Sequence, residues 1–219
     1  TSLMIGWFLI SLLQYRNEFV FNQKKIIGSD YLILLANFTQ NISIHRAMSA
    51  IIQSGDRSYL DKIMEKEQEI DGIALQISDM NAKFDNKYLP VETWKQIEVD
   101  WLSMKKKYRK FSVEENLKLH SMLIKHCLSM NYEISDSTNL ILDLSPKTTY
   151  IKLSITEILP YIVESIGQLK VTSAMAFSKG SITNSERLTI KGYSSEITLY
   201  SNQFSEAFDY IKRNNDDLD

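Results

Sequence analysis

Seven glycines and three prolines in 219 residues leave this chain almost without backbone breakers. Folds built from strands need frequent tight turns, and those turns draw on glycine and proline, whereas long helices need few of them. Unbroken stretches of Leu, Ile, Lys, Glu and Ser therefore predict an all-α protein: elongated antiparallel up-and-down bundles of about six or seven long helices. The remaining composition restricts function. Lys and Arg number 25 against 27 Asp and Glu, a net charge of −2. That balance lacks the basic excess of a phosphate-neutralising surface, so nucleic acid is not an expected partner. A single cysteine, Cys127, excludes an intrachain disulfide and a Cys-rich zinc site.

The opening run Thr1–Leu13 carries no charge and turns polar at Gln14, Tyr15 and Arg16. It is shorter than the roughly 20 residues that cross a bilayer. It also lacks a start Met, a basic leader and a small-residue cleavage site, so it is no intact signal peptide. Two readings stay open: the end of a truncated transmembrane helix over 1–16, or a buried core helix. Trp7 and the Tyr15-Arg16 pair suit a segment reaching the membrane interface and favour the first.

Periodicity places the remaining helices. Leu34, Phe38, Ile44, Met48, Ile51 and Ile52 share a face between Ser29 and Ser54, and Gly55-Asp56 is a stop followed by a cap. A second helix carries Tyr59, Ile63, Ile70, Ile73 and Ile77 towards Phe84. Trp94, Ile97, Trp101, Met104 and Tyr108 make the strongest 3-4-3-4 spacing of the chain. Ser112 to Glu115 is a capping box opening a helix to about Ser137, with Leu117, His120, Ile124, Cys127 and Ile134 facing inward. The turn Asp143-Leu-Ser-Pro146 starts a long helix to about Ser178, which Pro160 should kink or whose first part it should end. Lys179-Gly180 closes it, and Thr183 to Glu186 is a second capping box before the last helix. The domain reading is a helical sensor unit over 17–212 and a polar tail over 213–219.

Nothing in the sequence argues for catalysis. There is no Gly-rich phosphate loop, no G-x-S-x-G and no H-E-x-x-H. The three histidines are His45, His120 and His126. His120 and Cys127 lie about 10 Å apart along one helix, too far for one metal. The expectation is a non-enzyme without cofactor or metal.

Three segments, in this order, resemble the extracytoplasmic helical sensor regions of bacterial transmembrane receptors. These are chemoreceptors, sensor histidine kinases and diguanylate cyclases with nitrate-sensor-like or helical-bimodular-like bundles. The first is His45-Arg-Ala-Met-Ser-Ala50 followed by Gly55-Asp56, similar to His-Arg-Gly-Leu-Ser ending in Gly-Asp. The second runs from Phe111-Ser112 and His120 through Asp136-Ser137, Leu140, Leu142-Asp143 and Pro146 to Tyr150. The third is Leu159-Pro160, Glu164, Gly167-Gln168-Leu169-Lys170, then Gly180, Thr183 and Glu186-Arg187. Ala47 stands where the family usually has Gly, and Lys170 where it usually has Arg. The resemblance spans roughly residues 30–200. It implies a periplasmic module anchored in the bacterial inner membrane, homodimeric, that binds a small ligand and passes a helix shift to a cytoplasmic output domain. The competing class is an interaction or dimerisation module with no small ligand.

Candidate ligand-binding residues follow from both lines. Arg46 sits beside Ser49 on a mixed stripe with Leu35, Thr39, Ile42 and Gln53, away from the expected inward face of Leu34, Phe38, Met48 and Ile52. Such a stripe suits a second contact surface or a ligand cleft. Lys170 lies among Leu159, Val163, Ile166, Ser173 and Phe177, where a cation must snorkel, pair with an acid or meet an anion. His45 shares the inward face and is expected chiefly as core. Gln168 and Tyr150 are carried by the resemblance alone. An anionic ligand, a carboxylate or an oxyanion, would suit the two cations.

Overall fold

The computed structural model describes residues 2–141, 146–178 and 180–214, with backbone only for residues 2–6, 9 and 178. The described residues are all-α. Helix α1 spans Ser2–Gln53, α2 Leu60–Lys83, α3 Val91–Lys107 and α4 Val113–Ser137. Then α5 (Pro146–Leu153), a π-helical turn (Ser154–Ile158) and α6 (Leu159–Ser178) follow as one rod, and α7 spans Asn184–Arg213. The turn at Asp143 and the tail beyond Asn214 lie outside the described residues, as does Lys179.

Cap chemistry sets the boundaries. Gly55 takes φ +104°, and the Asp56 carboxylate accepts the Ser58 N–H at 2.9 Å at the start of the 3-10 turn into α2. Ser112 accepts the Glu115 N–H at the start of α4. At its end Asn139 adopts φ +55° and the Leu140 N–H reaches the Ser135 carbonyl at 2.8 Å. Thr183 and Glu186 form the reciprocal capping box expected for α7. Pro160 does not end its helix. It has no N–H and crowds the carbonyl one turn back, and the turn ahead of it widens into the π form, with the Leu159 N–H bonded to the Ser154 carbonyl.

The hydrophobic core lies within α1–α4. Ile27, Tyr31, Leu35, Phe38 and Ile42 of α1 meet Ile70 and Ile77 of α2, the Trp94–Met104 face of α3 and Leu123–Ile134 of α4, all buried. α4 is central: it packs on α1 and α3, and it also receives the α6–α7 hairpin through the π-turn. The hairpin itself leaves most of α7 exposed, with Ala207 its one buried residue among those described. The architecture is therefore a four-helix bundle with a flanking helical hairpin.

One close approach has a direct consequence. A Cβ added to Gly28 would stand 2.2 Å from Thr138 Oγ1 and 2.8 Å from Thr138 Cβ, so α1 and α4 touch there backbone to side chain. Gly28→Ala is expected to destabilise the protein by about 1–3 kcal/mol through overpacking. Urea unfolding checks this, and a gain in stability would show that the two helices separate freely at this end.

α1 extends well past the bundle. Every described side chain from Trp7 to Val20 is exposed, including Trp7, Phe8, Leu13 and Phe19. The chain continues as helix through residue 16, where the sequence reading put a domain boundary. No helix among the described residues is long and apolar enough to cross a membrane.

Candidate functional site

Arg46 is 1% exposed and sits inside the fold, not on a separate surface stripe. The inward face of α1 is rotated from the expected one: Leu35, Ile42, His45, Arg46 and Ser49 are buried, whereas Leu34, Met48 and Ile52 are half-buried. A guanidinium in that position needs a partner. Glu164 of α6 supplies it as a fork-to-fork pair, with Nη1 donating to Oε1 at 2.7 Å and Nη2 to Oε2 at 3.1 Å. Ser121 Oγ and Ser43 Oγ each accept a further N–H at 3.2 Å. Gln168 Nε2 donates to Glu164 Oε1 at 2.6 Å and also to Ser121 Oγ. Gly167 makes room for the arginine, since a Cβ there would lie 2.9 Å from Nη2. The cluster thus ties α1, α4 and α6 together through one neutral ion pair.

A second polar chain lies one turn round α1. Ser49 Oγ donates to the Arg46 carbonyl at 3.0 Å and accepts from Asn116 Nδ2 at 2.8 Å. The Asn116 carbonyl lies 2.8 Å from His120 Nδ1, and His120 Nε2 lies 2.8 Å from His45 Nδ1. A carbonyl can only accept, so His120 carries its proton on Nδ1 and accepts from His45 Nδ1–H through Nε2. His45 Nε2 is then left facing Glu67 Oε1 at 3.6 Å, with the rings of Trp101 and Tyr108 edge-on to the imidazole.

Burial decides the charge of both histidines. It lowers the His45 pKa against the opposing pull of Glu67, with Arg109 and Lys105 adding to the lowering. It pushes His120 down to about 3, helped by His45 and Arg46 and resisted by the Asn116 carbonyl. Both are neutral when folded and charge near pH 6.5 when unfolded. The unfolded state therefore binds more protons below pH 6.5, and stability falls as pH drops from there towards the folded values. His120 contributes up to about 1.4 kcal/mol per pH unit in that window, and His45 acts in the same direction. Urea unfolding at pH 7.5, 6.5 and 5.5 should show a loss of about 1 kcal/mol or more between the last two, most of it from His120. A flat profile would mean that the folded pair already holds its protons.

Beside the ion pair, α1, α4, the π-turn and α6 enclose a cleft of 440 Å³. Its walls are chiefly apolar: Ile44, Ile124, Leu128, Ile155, Leu159 and Val163. Thr39, Ser43, Asn131 and Glu164 give it a polar edge. Asn131 Oδ1 is buried there without a hydrogen-bond partner. Ser43 and Glu164, both bonded to Arg46, are shared between cleft and ion pair.

Of the residues read from the sequence, the fold brings together Arg46 and Gln168, with His45 and Ser49 on the neighbouring polar chain. Lys170 is not among them. It is exposed on α6, and its stripe of Val163, Ile166 and Phe177 is exposed with it. Tyr150 lies on another cleft, against Tyr210. Glu164, Ser121, Glu67 and the His45–His120 contact were missed. Glu164 enters the sequence reading only as part of the third family-like segment, because its partner is 118 positions away. Among the described residues, no group of three metal-ligating side chains comes together.

The fold and these residues define an all-α bundle with a buried charged cluster beside an apolar cleft. No known protein family, no characterised protein and no solved structure matches the chain at a significant level.

Proposed function

We propose that this chain is the sensor module of a transmembrane receptor, in which a small acid enters the α1–α4–α6 cleft and competes with Glu164 for Arg46. The observation that carries the reading is topological. Gly28 meets Thr138 at one end of the bundle and Ser49 meets Asn116 towards the other, so α1 climbs as α4 descends. Glu164 is level with Arg46, Ser165 bonds Glu196 of α7 at 2.8 Å, and Tyr150 touches Tyr210 well below. The free N-terminal turns of α1 and the C-terminal end of α7 consequently leave at the same end. That is the arrangement a receptor needs to relay a helix displacement of about 1–2 Å across a membrane. The exposed Trp7, Phe8, Leu13 and Phe19 suit contact with a bilayer at that end.

The Arg46–Glu164 pair supplies the element that a ligand can bias, because an incoming carboxylate or oxyanion satisfies the same guanidinium fork. Ligand binding then loosens α6 from α1. A screen of small carboxylates and oxyanions by thermal shift tests this: a hit should raise the melting temperature with concentration. Ala36→Leu, which fills the cleft mouth, should remove the shift, and Lys170→Ala should leave it. Spin labels on cysteines introduced at Val20 and Phe208 should report a distance change on binding; Cys127 is fully buried and stays unlabelled. A ligand that binds without moving the labels would reduce the protein to a binding module.

The exposed α6 stripe favours a second reading, a dimerisation module, because Val163 and Phe177 are 68% and 88% exposed. Sedimentation of the wild type against Phe177→Glu separates the two readings.

A further inference from the structure

A separate cleft of 810 Å³ runs between the α5–α6 rod and the C-terminal half of α7. We propose that it binds a linear aliphatic di- or polyamine. A pair of tyrosines closes each end: Tyr150 and Tyr210 with ring centroids 4.5 Å apart, Tyr161 and Tyr200 stacked at 5.4 Å. Tyr150 and Tyr161 are separated by three helical turns, about 16 Å. Between the pairs lie two carboxylates, Glu157 and Glu206, and the aliphatic side chains of Leu153 and Ile158.

Glu157 Oε1 is buried with no hydrogen-bond partner. A carboxylate oxygen withdrawn from water and left without a donor is costly, and a protonated amine would supply the donor. Burial also raises the Glu157 carboxyl above its ordinary range, the direction expected of an acid lacking its cation. The ring faces of the tyrosines attract ammonium groups, and Leu153 and Ile158 accept methylenes. Anions are repelled by the two carboxylates. A metal ion finds too few ligands here, and a single small amine would leave most of the length unfilled. Arg213, beside Tyr210, is the one cation of the lining and limits the site at that end.

The proposal is independent of the Arg46 cleft and stands if that reading fails. The test is calorimetric titration of the full chain with spermidine, with Mg²⁺ as a multivalent cation competitor lacking the alkyl chain. Spermidine should bind with a Kd below about 1 mM and resist displacement by equimolar Mg²⁺. Glu157→Gln with Glu206→Gln should weaken it at least tenfold, and Tyr161→Leu should weaken it while circular dichroism stays unchanged. The absence of binding below about 1 mM, equal affinity in the double variant, or displacement by equimolar Mg²⁺ would each overturn the proposal.

Discussion

Arg46→Ala is expected to lower stability by about 3–5 kcal/mol, because it strips the partner from a carboxylate held largely out of water. Glu164 would be left at 11% side-chain exposure with only the Gln168 amide as donor. Glu164→Ala should cost nearly as much, since the guanidinium at 1% exposure would keep only two serine hydroxyls. The informative variant is the pair. Arg46→Met with Glu164→Leu removes both charges and restores apolar volume, so it should recover most of the loss, and a double-mutant cycle compares it with the singles. Urea unfolding measures all three. Single losses below about 1 kcal/mol, the level of surface substitutions, would show that water reaches the pair and that it does not lock α6 to α1.

Trp101→Ala should be as severe, at about 3–5 kcal/mol. Trp101 is 1% exposed, and its indole N–H donates to Asp71 Oδ1 at 2.8 Å. Its ring also walls the His45 imidazole at 5.1 Å. Trp101→Phe separates the contributions: it keeps most of the packing and loses the hydrogen bond, so a cost of about 1–2 kcal/mol is expected. If the phenylalanine variant were as damaged as the alanine one, the bond to Asp71 and not the ring would hold α3 on α2.

The local signals were legible because they depend on neighbours in sequence. The all-α class follows from the scarcity of breakers, and the caps at Asp56, Ser112 and Thr183 follow from side chains that reach backbone N–H groups two or three residues on. The Trp94–Tyr108 spacing placed a full helical face in the core, and all five residues are buried. That Pro160 would disturb its helix could be read; that the helix would answer with a π-turn and continue could not, because its packing against α4 and α7 holds the rod together.

The site depended on register between helices far apart in the chain. His45 and His120 each read as inward-facing, but only the antiparallel match of α1 with α4 sets their nitrogens 2.8 Å apart. Arg46 lies in the interior rather than on the expected surface stripe, because the face of α1 that carries Leu35, Ile42, His45 and Ser49 is the buried one. Lys170 and Arg46 looked alike in sequence, each a cation on a stripe that is neither plainly core nor plainly solvent. Tertiary structure divided them: a buried guanidinium is stable only with an acid in reach, which Glu164 provides to Arg46, whereas an exposed ammonium keeps its water and needs none.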